Sequence, residues 1–343
     1  MQRLKYIDIA KGLLILMVVF HHIPQVGNKL LLFESASLTK VDEWNWLYST
    51  FFMPAFFVIT GYCSNFNGDF NTFVRKNIKT LLFAGITLSI IEGFVNSTLN
   101  FSLVYSISLK KLVKTFLIHG THYWFLTALF LDKIIFFVMC RMQLNNWIKG
   151  GVCAASMFLA IEIYPQIAEN DSNNYWFYCH TLFFLIFVWV GDFMSNYSIL
   201  EGKNVRLGLL YLPLVVFFCV INHYPPMVTH HLGLDSFRDI PLCLLLAILG
   251  TLLVVQLAKW MMLYLPKFIN IEYVGKVSLI IYTLHIAVLK NVEHRLSGHL
   301  LSPYESDETF LFILLTFFIS ILILLVVSRL LRTSYTEWII GKW

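Results

Sequence analysis

The stretch Ile7–Pro24, IDIAKGLLILMVVFHHIP, decides how the rest of the chain is read. Every residue from Gly12 to Phe20 is apolar, and with its flanks the run reaches the roughly 20 residues that an α-helix needs to cross a bilayer. Basic residues before an apolar run also open a secretory leader. Here no small-residue cleavage site follows, and Asp8, Lys11, His21 and His22 punctuate the run, so the segment reads as a retained first membrane helix.

Helical geometry gives those polar residues an order. At about 100° per residue, the step from Lys11 to His22 makes three turns and roughly 20°, which puts both on one face, about 16 Å apart along the axis. Asp8, three residues before Lys11, joins that face. A charge near the bilayer centre costs about 2.5–3.5 kcal/mol, so such a stripe has to face a bundle interior or a wet cavity. The plainer alternative makes Asp8 and Lys11 an ion pair at the helix start, with His21 and His22 merely ending the span.

Composition extends the membrane reading to the whole chain. The 343 residues are 58% apolar and 13% charged, with a mean hydropathy of +0.72, against roughly 25% charged residues in a soluble domain. The expected fold is all-α, a polytopic transmembrane helical bundle forming a single domain over 1–343. Spans of suitable length and apolarity fall at 7–23, 47–63, 78–95, 123–140, 147–164, 176–194, 207–222, 240–259, 274–290 and 309–331, about ten in all. The formal charge of +5 comes without a long basic block, which argues against nucleic-acid binding. The six cysteines form no CxxC pair and read as small apolar fillers.

An even number of spans puts both termini on one side. With that side cytoplasmic, it collects Arg3, Lys5, Arg75, Lys76, Lys79, Arg141, Lys149, Lys203 and Arg206 among others, as positive-inside bias requires. The group Lys110, Lys111 and Lys114 runs against the bias, and suits either an amphipathic helix in the outer interface or a misplaced third or fourth span. All eleven histidines then fall in outer loops or the outer halves of spans. His223, His230, His231, His294 and His299 read as solvated. His22, His122 and His285 sit within or against apolar helix, where an ionisable group is a functional candidate.

The run DIAKGLLILMVVFHH, Asp8–His22, resembles the opening of the membrane-bound acyltransferase 3 family, in which a basic residue, ten intervening positions and a histidine mark the first helix. Lys11 and His22 match that pattern, and His21 is one residue short of it. Phe51–Tyr62, FFMPAFFVITGY, resembles the family's second helix, with Thr60 where a serine is usual. His122–Leu126, HYWFL, resembles its Trp-Phe-Leu span start. Val274–His285, VGKVSLIIYTLH, resembles its late helix through Gly275, Ser278, Tyr282 and His285. The first-helix cation is lysine where arginine is commoner, which forgoes the planar fork that grips phosphate at two points and keeps the charge. The sequence stops at Trp343 just past the last span, so the esterase-like domain of larger relatives is not expected.

The resemblance implies an O-acyltransferase of the sugar- or polysaccharide-modifying type in a cell inner membrane, with acyl-coenzyme A, most simply acetyl-coenzyme A, as a donor that is not permanently bound. His22 is the expected catalytic residue, as base or as acyl carrier, with Lys11. Asp8, His122, Trp124, Ser278, Tyr282 and His285 are expected near the carbohydrate or lipid-linked glycan acceptor. Lys11, Arg75, Lys76 and Lys79 are expected at the donor's phosphates. No GxGxxG, P-loop, HExxH or CxxC motif occurs, so no bound metal or nicotinamide cofactor is expected. The competing reading is a proton-coupled secondary transporter, which would also place Asp, Lys and His in one membrane helix.

Overall fold

The computed structural model describes residues 4–29, 45–99, 123–170, 177–221, 239–264, 270–299 and 306–333, and among them the regular structure is entirely helical. In chain order the helices are α1 (Lys5–Lys29), α2 (Phe52–Cys63), α3 (Phe70–Asn77), a π-helical turn (Ile78–Phe83), α4 (Ala84–Leu99), α5 (Trp124–Arg141), α6 (Asn146–Asn170), α7 (Phe177–Asn196), a 3-10 helix (Lys203–Leu210), α8 (Tyr211–Ile221), α9 (Asp239–Tyr264), α10 (Ile271–Lys276), α11 (Ser278–His299) and α12 (Ser306–Leu330). His122, the Lys110, Lys111 and Lys114 group, and His223, His230 and His231 lie outside the described residues.

Each predicted span overlaps a helix, and seven helical stretches among the described residues are long and apolar enough to cross a membrane. The protein is an integral membrane helical bundle. The three predicted spans that do not meet the measure each show why. Residues 78–95 begin in the π turn, α5 carries Asp132, Lys133 and Arg141, and α11, which holds most of 274–290, carries Lys290, Glu293 and Arg295.

The chain divides into two compact units, one of Met1–Leu47, Ala84–Ile107 and Pro266–Trp343, the other of Tyr48–Phe83 and Ser108–Leu265. In the second unit α2 and α7 cross at backbone contact. A Cβ on Gly61 would lie 2.2 Å from the Val188 carbonyl oxygen, and one on Gly191 would lie 2.1 Å from that of Val58. Only residues without a side chain let two helices approach this closely, a familiar device in lipid, where dispersion contacts replace the hydrophobic drive. Phe57 and Phe184 stack beside the crossing, with centroids 4.5 Å apart. At one end of this unit, Tyr62 Oη donates to Glu201 Oε1 at 3.0 Å, Lys259 Nζ donates to the Glu201 carbonyl at 3.1 Å, and Arg141 donates to the Gly68 carbonyl at 2.6 Å.

In the first unit α1 packs on α10, α11 and α12, while α11 also packs on α12 and α4. The exposure of α1 splits into two strips. Leu13, Leu16, Met17 and Phe20 form one incompletely buried strip, wholly apolar and suited to hydrocarbon. Lys11, His22 and Gln25 form the other, on the opposite side by helical angle. Between Lys11 and His22 that second strip is closed by Leu14, Ile15 and Val18, each at most 1% exposed. The cation and the imidazole thus share a face, as the spacing predicts, but open at separate points along it.

Candidate active site

Two glycines fix how the helix bearing His22 meets the helix bearing His285. A Cβ on Gly12 would fall 2.5 Å from the Ile271 carbonyl oxygen, and one on Gly275 would fall 1.7 Å from the Asp8 carbonyl oxygen and 2.9 Å from the Gly12 nitrogen. The α1 and α10 backbones are therefore in direct contact at this pair. From each glycine the chain runs the same ten positions to a histidine, Gly12 to His22 and Gly275 to His285. The rise over ten helical residues is about 15 Å, so two parallel segments that touch at the glycines touch again at the histidines. The rings of His22 and His285 meet edge to face, with centroids 4.8 Å apart and planes at 74°. This shared step accounts for the meeting of His22 and His285 without reference to any family.

Backbone carbonyls set the tautomers. His22 Nδ1 lies 2.8 Å from the Val18 oxygen, and His285 Nδ1 lies 2.6 Å from the Tyr282 oxygen. A carbonyl oxygen only accepts, so in both rings Nδ1 carries the proton and, in the neutral form, Nε2 carries the basic lone pair. The rings differ in access. His285 is 3% exposed, whereas His22 is only half-buried. His21 completes the cluster from the buried side, its ring 5.3 Å from that of His22 at 89°. Gln25 Nε2 donates to His21 Nε2 at 3.0 Å.

Ser278, Tyr282 and His285 lie along one face of α11, and Tyr282 is buried with its ring 5.9 Å from that of His285. The helix breaks just before this face begins: Asn270 Oδ1 caps α10 by accepting from the Tyr273 N–H at 2.9 Å, and α11 starts afresh at Ser278 after Val277. Asp8 is buried and Lys11 half-buried on the first turns of α1. The first unit therefore brings together six of the predicted residues: Asp8, Lys11, His22, Ser278, Tyr282 and His285.

The remaining described candidates belong to the second unit. Trp124, at the start of α5, is buried against the wholly buried His180, with centroids 4.5 Å apart, and against Phe184 at 5.6 Å. His180 belongs to none of the motifs read from the sequence, and its i,i+4 relation to Phe184 on an apolar span is the local sign of this packing. Arg75 and Lys76, in the last turn of α3, and Lys79, in the π turn, are exposed. Phe70 and Phe73 of α3 pack on Phe137 of α5. The cationic group is thus associated with the far end of α5 from Trp124, about 20 Å along that helix. Nearby, Asp69 caps α3 by accepting from the Thr72 N–H at 2.8 Å.

The geometry defines a membrane-embedded helical protein with a paired imidazole in one unit. The chain matches the family model of the acyltransferase domain over residues 4–329, nearly its whole length. It belongs to the membrane-bound acyltransferase 3 family, and it is a membrane acyltransferase. Comparison with curated proteins and with solved structures finds no match.

Proposed function

We propose that the protein moves an acetyl or other short acyl group from acyl-coenzyme A to a hydroxyl of a carbohydrate or glycolipid acceptor, with His22 as the base or the acyl carrier. One observation carries the reading: the Val18 carbonyl holds the His22 Nδ1 proton, so Nε2 of a half-buried ring presents the lone pair. An unactivated hydroxyl is a poor nucleophile near neutral pH, and an imidazole of ordinary pKa ~6.5 is suited to removing its proton. The same nitrogen is a competent acyl acceptor.

Lys11, at the opposite end of the His22 strip, supplies a cation for the donor's phosphates, and Arg75, Lys76 and Lys79 are proposed for the same role. Asp8, Trp124, Ser278, Tyr282 and His285 are assigned to the acceptor side, with His122. Both termini are proposed to be cytoplasmic and the membrane to be the inner one. The excess of Lys and Arg in the corresponding loops supports that orientation.

The test is transfer of label from acetyl-coenzyme A to cell glycans by the intact protein, by His22→Ala and by His21→Ala. Loss in His22→Ala with substantial retention in His21→Ala is expected. Loss in both, or in neither, would remove His22 from its assigned role.

A further inference from the structure

We propose that Gln25 is an acceptor-binding residue: its amide oxygen takes a hydrogen bond from the hydroxyl next to the one that is acylated, and His21 holds the amide in place to receive it. The proposal rests on the acyl-transfer reading above and adds to it a requirement for neighbouring hydroxyls in the acceptor.

Helical spacing divides the turn from His21 to Gln25 between two surroundings. His21 and Ile23 are buried, whereas His22 and Gln25 are half-buried and lie three residues apart on the strip opposite the apolar one. Side chains on an α-helix slant toward its N-terminus, so Gln25 leans back over the preceding turn, the one that carries both histidines. A hydrogen bond records the lean: Gln25 Nε2 donates to His21 Nε2, four residues back, at 3.0 Å. The His21 ring in turn meets the His22 ring edge to face, with centroids 5.3 Å apart. The amide is thus fixed at the level of the two rings.

A carboxamide offers N–H donors at one end and an accepting oxygen at the other. Among the described residues Gln25 uses one N–H on His21 and makes no other hydrogen bond, so Oε1 keeps its lone pairs for a molecule on the open strip. An amide oxygen covered without a donor costs about 1–3 kcal/mol, so this part of the strip suits a hydroxyl-bearing molecule better than an acyl chain.

The two side chains divide the work by their chemistry. His22 Nδ1 is held by the Val18 carbonyl at 2.8 Å, which leaves Nε2 to take the proton of the attacking hydroxyl. An amide oxygen accepts a hydrogen bond and takes no proton, so Gln25 binds a hydroxyl that stays intact. Side chains three residues apart on a helix have Cβ atoms about 5–6 Å apart. With Gln25 leaning back toward His22, that spacing suits neighbouring carbons of one sugar ring and not two separate sugars.

The experiment uses the full chain in lipid nanodiscs, labelled acetyl-coenzyme A as donor and cell glycans as acceptor. Gln25→Ala, and Gln25→Met, which keeps the length without the amide, are each expected to raise KM for the glycans about tenfold, with kcat and KM for acetyl-coenzyme A changed less than about twofold. His21→Ala loosens the amide and is expected to raise the same KM about threefold, while the His21→Ala, Gln25→Ala double variant behaves as Gln25→Ala does. An unchanged glycan KM in either single Gln25 variant, or additive effects in the double variant, would overturn the proposal. In the product, the acetylated carbon is expected to adjoin one that bears a free hydroxyl, and acetate on an isolated exocyclic hydroxyl alone would also overturn it.

Nitrogen-15 spectra of the glutamine-labelled wild type, without acetyl-coenzyme A, separate this proposal from the reaction. Addition of the glycans is expected to shift the Gln25 side-chain amide and to leave that of Gln256, buried in α9, in place. An unmoved Gln25 amide would overturn the proposal whether or not acetyl transfer is observed. A shifted amide with no transfer by the wild type would count against the acyl-transfer reading alone.

Discussion

Gly275 stands against the Asp8 carbonyl so closely that a Cβ there would sit 1.7 Å from the oxygen. That contact lies between backbones, so no side-chain rotation relieves it. It clamps the start of α1 to α10, and ten positions further along each chain the clamp becomes the His22–His285 ring contact. The separation of the imidazoles is thus set by a glycine contact about 15 Å away.

Gly275→Ala is therefore expected to force α1 away from α10. Overpacking costs about 1–3 kcal/mol in well-packed cores, and transfer activity is expected to fall further than stability does, because the rings part as the helices shift. Gly93 on α4 has open space where its Cβ would be, and Gly93→Ala is the matched control with no loss. Thermal unfolding in detergent alongside labelled acetyl transfer checks both.

Lys11→Ala is expected to raise KM for acetyl-coenzyme A about 10- to 100-fold, the equivalent of a charge-assisted hydrogen bond of about 1.5–3 kcal/mol. Lys11→Arg should retain most of the affinity. Acetyl-pantetheine, which lacks the phosphates, should be used equally by wild type and Lys11→Ala, and a difference between them would show that Lys11 acts elsewhere.

Tyr282 serves His285 through its carbonyl, 2.6 Å from Nδ1. Removing only the hydroxyl leaves the tautomer in place. Tyr282→Phe is accordingly expected to keep kcat within a few-fold and to weaken acceptor binding, read as a raised KM for the glycan. A collapse of kcat would contradict the carbonyl's role.

The Thr72 backbone N–H bonded to Asp69, together with the Thr72 hydroxyl and the nearby Arg141, holds the Asp69 carboxyl below the usual carboxylate range. A depressed native pKa contributes stability that is present above the unfolded value and is lost as pH falls through the native one. Protection of the α3 amides against hydrogen exchange is therefore expected to hold at neutral pH and to decline only below the ordinary range for aspartate. Asp69→Ala should show the reduced protection at every pH.

Much of the site is written locally. The step from Lys11 to His22 put both on one face, and α1 is one continuous helix carrying them there. The pairing of His22 with His285 was also present in the sequence, as the repeated interval from Gly12 and from Gly275. It carries meaning only once α1 is known to lie parallel to the α10 and α11 segment, since the same interval on antiparallel helices would separate the rings. His180 illustrates the other kind of omission. Its i,i+4 relation to Phe184 along α7 fits an ordinary packing residue equally well until Trp124 is found against its ring, 4.5 Å away.

By itself the sequence determined the solvent and the class, because apolar length and the scarcity of charge are additive properties that need no neighbours to act. It also determined the family, through residue types at fixed intervals within single helices. Which helices touch was decided only in three dimensions. Close approach depends on two backbones presenting bare Cα atoms at the same level, and Gly12 against Gly275 exists as a contact only after the chain has returned across more than two hundred and fifty residues. The tautomers follow the same rule: the carbonyls of Val18 and Tyr282 are common to any helix, and folding turned each imidazole onto its own.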